Sequence, residues 1–458
     1  MSIYKTVAVI GAGASGMMAA VSAADAGKTV FLIDGNERLG RKLYATGNGR
    51  CNFTNINCSP QDYNNPEDGF TETVLSEFTA KDSIDFFENE ALFARVENEG
   101  RCYPYSGQAA ALVTALEAGV RRRGVAVITG NAAIRIEGKE YSHDFGSSGF
   151  VVHLASGKAL ECEAVILACG GRAGLQFGST GDGYGFAKSF GHTLAEIRPA
   201  LVAAESTEKD AKLAAMLKGL RAKGRLSLYE DGCLKGAGSG EIQFTGTGVS
   251  GICMFDLSRY MDAARPSVKK NKKRKPRAAE QKSRSYELSV DFVPELSEEK
   301  LALHLAHFRG KGEHRRSLSE AISGFADRRI ASEIASKLEV SEIASKIEAP
   351  VFEPAAECVA GWGEPQLVTS DADAISLERK AASRLKDFRI SIGSTKGWEA
   401  AQVTRGGIRR NEINPETMES LLVPGLYFCG ELIDVDGRCG GFNLQWAWAS
   451  GHIAGKLL

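Results

Sequence analysis

Three glycines within Gly11-Ala12-Gly13-Ala14-Ser15-Gly16 stand at the spacing that lets a backbone wrap around a phosphate. Gly11 permits a tight turn, Gly13 leaves room for a pyrophosphate, and Gly16 lets the following helix pack close to its strand. Asp34 comes 23 positions after Gly11, and its carboxylate suits the hydroxyls of an adenosine ribose. In a chain with 51 glycines such a triplet alone is weak evidence. Its surroundings make it specific. Residues 7–10 are a short β-branched run, 17–26 an Ala-rich helical segment closed by Gly27, and 29–33 a second strand ending at Asp34-Gly35. Strand, turn, helix, strand and acid make a βαβ unit built for a dinucleotide. The uncharged run 7–24 behind Lys5 imitates a signal peptide or membrane span, but its internal glycine turn excludes both readings.

The same unit serves NAD and FAD, so the choice depends on the residues beyond Asp34. Residues 40–55 form a loop dense in glycine, amide and cation, including Arg41, Lys42, Thr46, Gly49, Arg50, Cys51 and Asn52. Such a loop presents N–H groups and fixed positive charge to a pyrophosphate or a flavin ring. Strands are expected at 125–129, 133–137 (beginning at Ala133) and 150–154, with a hairpin loop at 140–149. Residues 163–171 read as a buried parallel strand that breaks at Cys169-Gly170-Gly171, where α/β sheets place ligands. Residues 425–431 repeat the pattern, ending at Gly430-Glu431. Gly440 and Gly441 then open a final helix through Phe442, Asn443 and Leu444, whose N-terminus would stabilise negative charge on a reduced flavin.

On these residues the chain resembles the two-dinucleotide-fold flavoproteins of the glutathione reductase type. It is more closely similar to the bacterial family of NAD(P)/FAD-dependent, aminoacetone-oxidase-like oxidoreductases that includes the flavoprotein reductase of the bile-acid dehydroxylation operon. The motifs that carry the resemblance are residues 40–55, 178–184 (G-S-T-G-D-G-Y), 412–420 and 423–450. It implies FAD, with NADH or NADPH as a transient reductant. It also implies that Gly49 to Asn52 and Gly440 to Leu444 lie near the isoalloxazine. Glu431 stands where the wider superfamily often carries Asp, Cys169 replaces a common Thr, and Cys439 falls in a variable slot.

Between about 193 and 349 the βαβ rhythm stops. Residues 226–229 and 241–244 alternate like short antiparallel strands around Glu230-Asp231-Gly232, and 286–293 is another strand candidate. Residues 296–308 and 317–347 are expected to be helical, with Ser297 as an N-cap. The expected architecture is therefore α/β: a Rossmann-like, two-dinucleotide-fold FAD-binding domain with an inserted β-rich domain and a helical subdomain. Its boundaries are 1–192 and 393–458 for the FAD domain, 193–295 and 350–392 for the β-rich domain, and 296–349 for the helices.

A second G-x-G-x-x-G at 246–251 lacks the following helix and acid of a nucleotide site, because 252–257 is short and β-like. It is expected to mark a close backbone approach to flavin or substrate. His304, His307 and His314 have no cysteine or acid to complete a metal set, so no metal is expected. Ten cysteines without a C-x-x-C argue for a reduced, cytoplasmic chain, and Cys51 has no resolving partner. The 56 basic and 57 acidic residues leave a net charge of −1 over 458 residues, with no global field for nucleic acid or anionic lipid. The basic run 269–275 has no accompanying aromatics, so neither nucleic acid nor membrane is expected as a partner.

Flavin chemistry needs orientation and electrostatics more than a triad. Lys42, Arg50 and Asn52 are the candidates for polarising the flavin. Asp182 is the candidate on the substrate side, and Tyr103 reads more as a structural group. The expected activity is NAD(P)H-driven reduction of a carbon–carbon double bond in a small enone- or steroid-like molecule. The alternatives are an oxidase acting on a small amine, a flavin-binding module without turnover, and a tRNA-modifying flavoenzyme.

Overall fold

The computed structural model describes residues 5–139, 149–261, 284–310, 314–346 and 376–456. Of the expected hairpin loop at 140–149, residues 140–148 lie outside the described residues and Gly149 opens the strand Gly149–Leu154; the basic run 269–275 and the boundary at 349/350 also lie outside them. The chain divides into two compact units, residues 1–201 with 397–458, and residues 202–396. The sequence rhythm puts the departure and return at 193 and 393.

The first unit is built on strand β1 (Thr6–Ile10), helix α1 (Ala14–Asp25) and strand β2 (Thr29–Ile33). A five-stranded parallel sheet runs in the order Leu426–Phe428, Ala164–Leu167, β1, β2, Ala126–Ile128. Its register aligns Leu167 with Ile10 and Phe428, and Ile10 with Ile33, so all the central strands end at one edge. Val7, Ala8, Val9 and Val165 are fully buried, as β-branched and apolar residues covered on both faces should be. The run 7–24 is thus a core strand and a core helix. The final helix, Phe442–Lys456, packs on α1 through glycines. A Cβ at Gly451 would lie 2.4 Å from the Ser15 carbonyl oxygen, and one at Gly455 2.3 Å from that of Ala19. A small antiparallel sheet pairs Thr54–Asn55, Arg101–Pro104 and Ala94–Val96.

The second unit is a closed six-stranded antiparallel barrel with helices. The two short expected strands are Arg221–Glu230 and Cys233–Thr245, longer on both sides of their turn. Ser297 caps the helix Glu298–Arg309 by accepting the Lys300 N–H. Two expectations are corrected. Residues 317–347 are not one helix: Leu318–Ile322 ends at the Ser323-Gly324 turn, and Arg328–Lys346 starts afresh after Asp327, whose carboxylate accepts the Arg329 N–H. Residues 252–257 are not β-like but belong to the helix Ile252–Ser258. The glycines before it serve the barrel itself. A Cβ at Gly248 would lie 2.2 Å from the Ala204 carbonyl oxygen, and one at Gly251 (φ +100°) 2.6 Å from that of Glu241.

A candidate cofactor site at the ends of the parallel strands

Gly11 takes φ +104°, and a Cβ there would lie 2.5 Å from the Ala168 carbonyl oxygen. A Cβ on Gly16 would lie 1.8 Å from the Gly11 oxygen, so strand, turn and helix meet at a distance only glycine allows. Gly13 differs: apart from its own neighbours along the chain, no atom among the described residues comes within 4 Å of where its Cβ would be. Its bareness answers to no protein neighbour. Gly13 is also the N-cap of α1, with no side-chain cap and no acid in the first turn, so the helix end is left to an anion. Asp34 is fixed beside this turn. Its carboxylate accepts the Ala12 N–H at 2.6 Å and the Asn36 N–H at 2.7 Å. Gly35 abuts Ala132, the neighbour of Ala133, with 3.0 Å between the two Cβ positions.

The loop at 40–55 lies against the same turn, with the Gly40 N–H donating to the Ala12 carbonyl. Thr46 Oγ1 donates to the Leu43 carbonyl, and Arg41 donates to Asn36 Oδ1 at 3.0 Å. Gly49 has φ +82°, and Asn48 and Cys51 also sit in the left-handed region, at φ +54° and +59°. Strain of this kind in a non-glycine residue persists only where its surroundings enforce it. Burial pushes the Cys51 thiol up to about 12, which makes it a packing group rather than a nucleophile. Arg50 pairs with Glu97 and lies over the Tyr103 ring at 4.1 Å.

Lys42 reaches the far end of the chain, where its ammonium donates to Glu431 at 2.8 Å. The other Glu431 oxygen accepts the Thr404 N–H at 2.6 Å. Thr404 Oγ1 in turn accepts the Arg172 and Ala173 N–H groups at 2.7 and 3.0 Å, pinning the turn after Cys169-Gly170-Gly171. A Cβ on Gly171 would meet that same Oγ1 at 2.2 Å, whereas around Gly170 the space is open. Burial pushes the Cys169 thiol up to about 12. Gly430 approaches Ser15 Oγ, which a Cβ would meet at 2.4 Å.

At the start of the final helix, Gly441 has φ +99° and a Cβ there would lie 3.0 Å from Asn52 Oδ1. That oxygen is buried and has no hydrogen-bond partner. The Phe442 carbonyl accepts from the Tyr63 hydroxyl, Asn443 exchanges two hydrogen bonds with the Gly437 backbone, and Leu444 is half-buried. Asp182 is exposed in the first turn of the helix Asp182–Ser189, where its charge favours the helix dipole. Two residues on, Tyr184 is buried, and its hydroxyl has no hydrogen-bond partner. Burial first, then the Glu431 charge, raises its pKa, so the hydroxyl stays protonated.

The structure thus brings the βαβ turn, Lys42, Asn52, Gly171, Glu431 and Gly441 to one edge of the sheet. Arg50 is committed to Glu97 and Tyr103 beside it, and Asp182 faces solvent. Sequence reasoning misses Thr404, Glu97 and Tyr184. Only Tyr184 carries a signal there, as the last residue of G-S-T-G-D-G-Y. The fit to FAD is observed in the chain itself: open space at Gly13 and Gly170, an uncapped helix end, and an orphaned acceptor at Asn52. Among the described residues no His/Cys/Asp/Glu group could hold a metal ion, and no helix is long and apolar enough to cross a membrane.

The family model of the HI0933-like protein Rossmann domain matches residues 5–457. A 3-dehydro-bile acid delta(4,6)-reductase of Clostridium scindens is 35% identical over 98% of this chain and 98% of its own. A ribosomal RNA dihydrouridine synthase of Escherichia coli is 27% identical over 96% of this chain and 95% of its own. One of Haemophilus influenzae is 26% identical over 99% and 98%. The family match over residues 5–457 and the 35% identity show that the chain belongs to the HI0933-like family and is an FAD-dependent oxidoreductase.

Proposed function

We propose that this chain uses NADH or NADPH to reduce a carbon–carbon double bond conjugated to a carbonyl, in a small hydrophobic, steroid-like substrate. The observation that supports this best is the 35% identity, over 98% of both chains, with a reductase of bile-acid double bonds. When bound, FAD would supply the carrier through which one hydride, two electrons with one proton, passes from the nicotinamide to one carbon of the double bond, while the other carbon takes a proton. The chain's own residues bind and polarise. The Gly11–Gly16 turn and α1 take the pyrophosphate, and Asp34 takes the ribose. Lys42, held by Glu431, sets a positive charge at the strand edge. Asn52 offers an acceptor, and Tyr184 a hydroxyl that keeps its proton.

Anaerobic mixing tests the reading. NADH or NADPH should bleach the flavin, and an enone added without oxygen should restore its colour. If neither nicotinamide bleaches it while a small amine and oxygen release peroxide, the chain is an oxidase.

A second reading applies the same reaction to the C5=C6 bond of a uracil in RNA, which is also conjugated to a carbonyl. The two relatives named as ribosomal RNA dihydrouridine synthases favour it. Loss of uridine from an RNA incubated with the enzyme and NADPH would decide for it.

A further inference from the structure

The small sheet carries an unassigned surface. On the strand Ala94–Val96 and its flanks, Phe93, Arg95 and Glu97 share one face, because side chains alternate. The register sets them opposite Tyr105, Tyr103 and Arg101: Arg95 pairs with Tyr103, the Tyr105 N–H donates to the Phe93 carbonyl, and the Glu97 N–H to that of Arg101. On the other face Cys102 and Pro104 are buried, while Val96 is exposed. The open face is aromatic and cationic. Phe93 is 68% exposed and Tyr105 64%. The Arg95 guanidinium lies 4.3 Å from the Tyr105 ring centroid, and that of Arg50 lies 4.1 Å from that of Tyr103. Glu97 and Glu99 are taken up by Arg50 and Arg101, whereas Arg95 has no carboxylate hydrogen bond among the described residues.

The inner end of this face joins the cofactor site. A Cβ on Gly47 would lie 3.7 Å from Tyr103 Cε1, and one on Gly440 would lie 3.7 Å from Arg101 Nε. Two exposed rings at the outer end, stacked arginines between, and the flavin-side glycines at the inner end form one continuous strip.

We propose that the Phe93–Arg95–Tyr105 face is a stacking platform for a single-stranded RNA segment that presents one base to the strand-edge site. Unpaired bases stack on exposed rings whatever their sequence, and an uncommitted arginine among them answers a phosphate. A rigid steroid would call for an enclosed apolar pocket, whereas this face is open and flat. The proposal rests on the second reading of the function and adds to it the surface that holds the polymer.

The test is fluorescence anisotropy of a labelled ten-residue oligouridine, titrated with the FAD-loaded full chain at low salt. Phe93→Ala and Tyr105→Ala should each weaken binding by about fivefold or more. Arg95→Ala should weaken it and reduce the slope of log K against log salt by about 0.7, the loss of one phosphate contact. All three residues are exposed, so flavin content and melting temperature should match the wild type. The proposal is overturned if the wild type does not bind, if the three variants bind as well as it does, or if the duplex of the same length binds equally. Flavin reoxidation by a free enone, measured separately, distinguishes the two ideas. Reoxidation without RNA binding removes the platform and leaves the reductase standing. RNA binding that these variants abolish, without reoxidation by a free enone, leaves the platform and removes the steroid-type reading.

Discussion

Alanine at two helix glycines should act with opposite sign. Gly451 lies inside the final helix where that helix crosses α1, and a Cβ there would sit 2.4 Å from the Ser15 carbonyl oxygen. Gly185 lies inside the helix Asp182–Ser189 with nothing within 4 Å of its Cβ position. Alanine gains about 1 kcal/mol over glycine in a helix interior, and both sites collect that gain. Only at Gly451 must the backbones move apart by most of an ångström, and overpacking of this kind costs about 1–3 kcal/mol. Gly185→Ala should therefore be more stable than the wild type by up to about 1 kcal/mol. Gly451→Ala should fall below Gly185→Ala by about 1–3 kcal/mol, because the propensity gain cancels in the difference. Urea midpoints of the two variants measured side by side give that difference. Gly451→Ala should also lose flavin more readily, since the displaced partner is the start of α1. Equal midpoints and equal flavin content would refute the claim that this helix contact is glycine-limited.

Three further outcomes are expected from the same geometry. Asn52→Leu removes a buried, unpartnered oxygen, so the FAD-free chain should gain about 1 kcal/mol in a melt while the loaded chain releases FAD faster; a loss of stability without FAD would contradict the assignment. Burial lowers the pKa of His192 and His452 from 6.5, so the folded chain refuses protons that the unfolded chain accepts. Stability present above pH 6.5 should decline as pH falls below it, and His192→Gln should flatten part of that decline in urea midpoints between pH 7.5 and 5.5. Among the described cysteines Cys233 is the exposed one, while burial holds Cys51, Cys169 and Cys429 near 12. Iodoacetamide at neutral pH should therefore label Cys233 and spare those three, as peptide mass mapping would show.

The βαβ unit is legible in the sequence because every contact in it is local. Gly11, Gly16 and Asp34 are separated by the lengths of one turn, one helix and one strand, and those spacings are written in the chain. The final helix is legible for a similar reason, since paired glycines before Phe442 mark a turn that only glycine enters. The Lys42–Glu431–Thr404 bridge spans 389 positions from Lys42 to Glu431, and nothing near Thr404 announces that its hydroxyl will bind the turn after Gly171. Arg50 reads as a free cation in the sequence because its partner Glu97 arrives on a different element. The barrel strands read shorter than they are, because glycines at 236, 238 and 240 break the apolar alternation that marks a strand. The helix at 252–258 has only seven residues, too few for its period to outweigh its β-like composition. The aromatic–arginine face is hidden because only sheet pairing brings Phe93 beside Tyr105, whereas the chain's visible nucleic-acid signal is a run of lysines elsewhere.

The proposed function requires one FAD on the Gly11–Gly16 turn, in the unit formed by residues 1–201 and 397–458. The flavin-to-protein ratio of purified wild type and Gly13→Ala probes that binding without an intermediate step. Alanine at Gly13 meets no protein atom, so both chains should fold with closely similar circular dichroism and melting behaviour. The wild type should carry or take up one FAD per chain, and Gly13→Ala should bind it far more weakly. A folded wild type that takes up no FAD, or a Gly13→Ala chain that retains it as well as the wild type, would show that the turn does not hold the flavin.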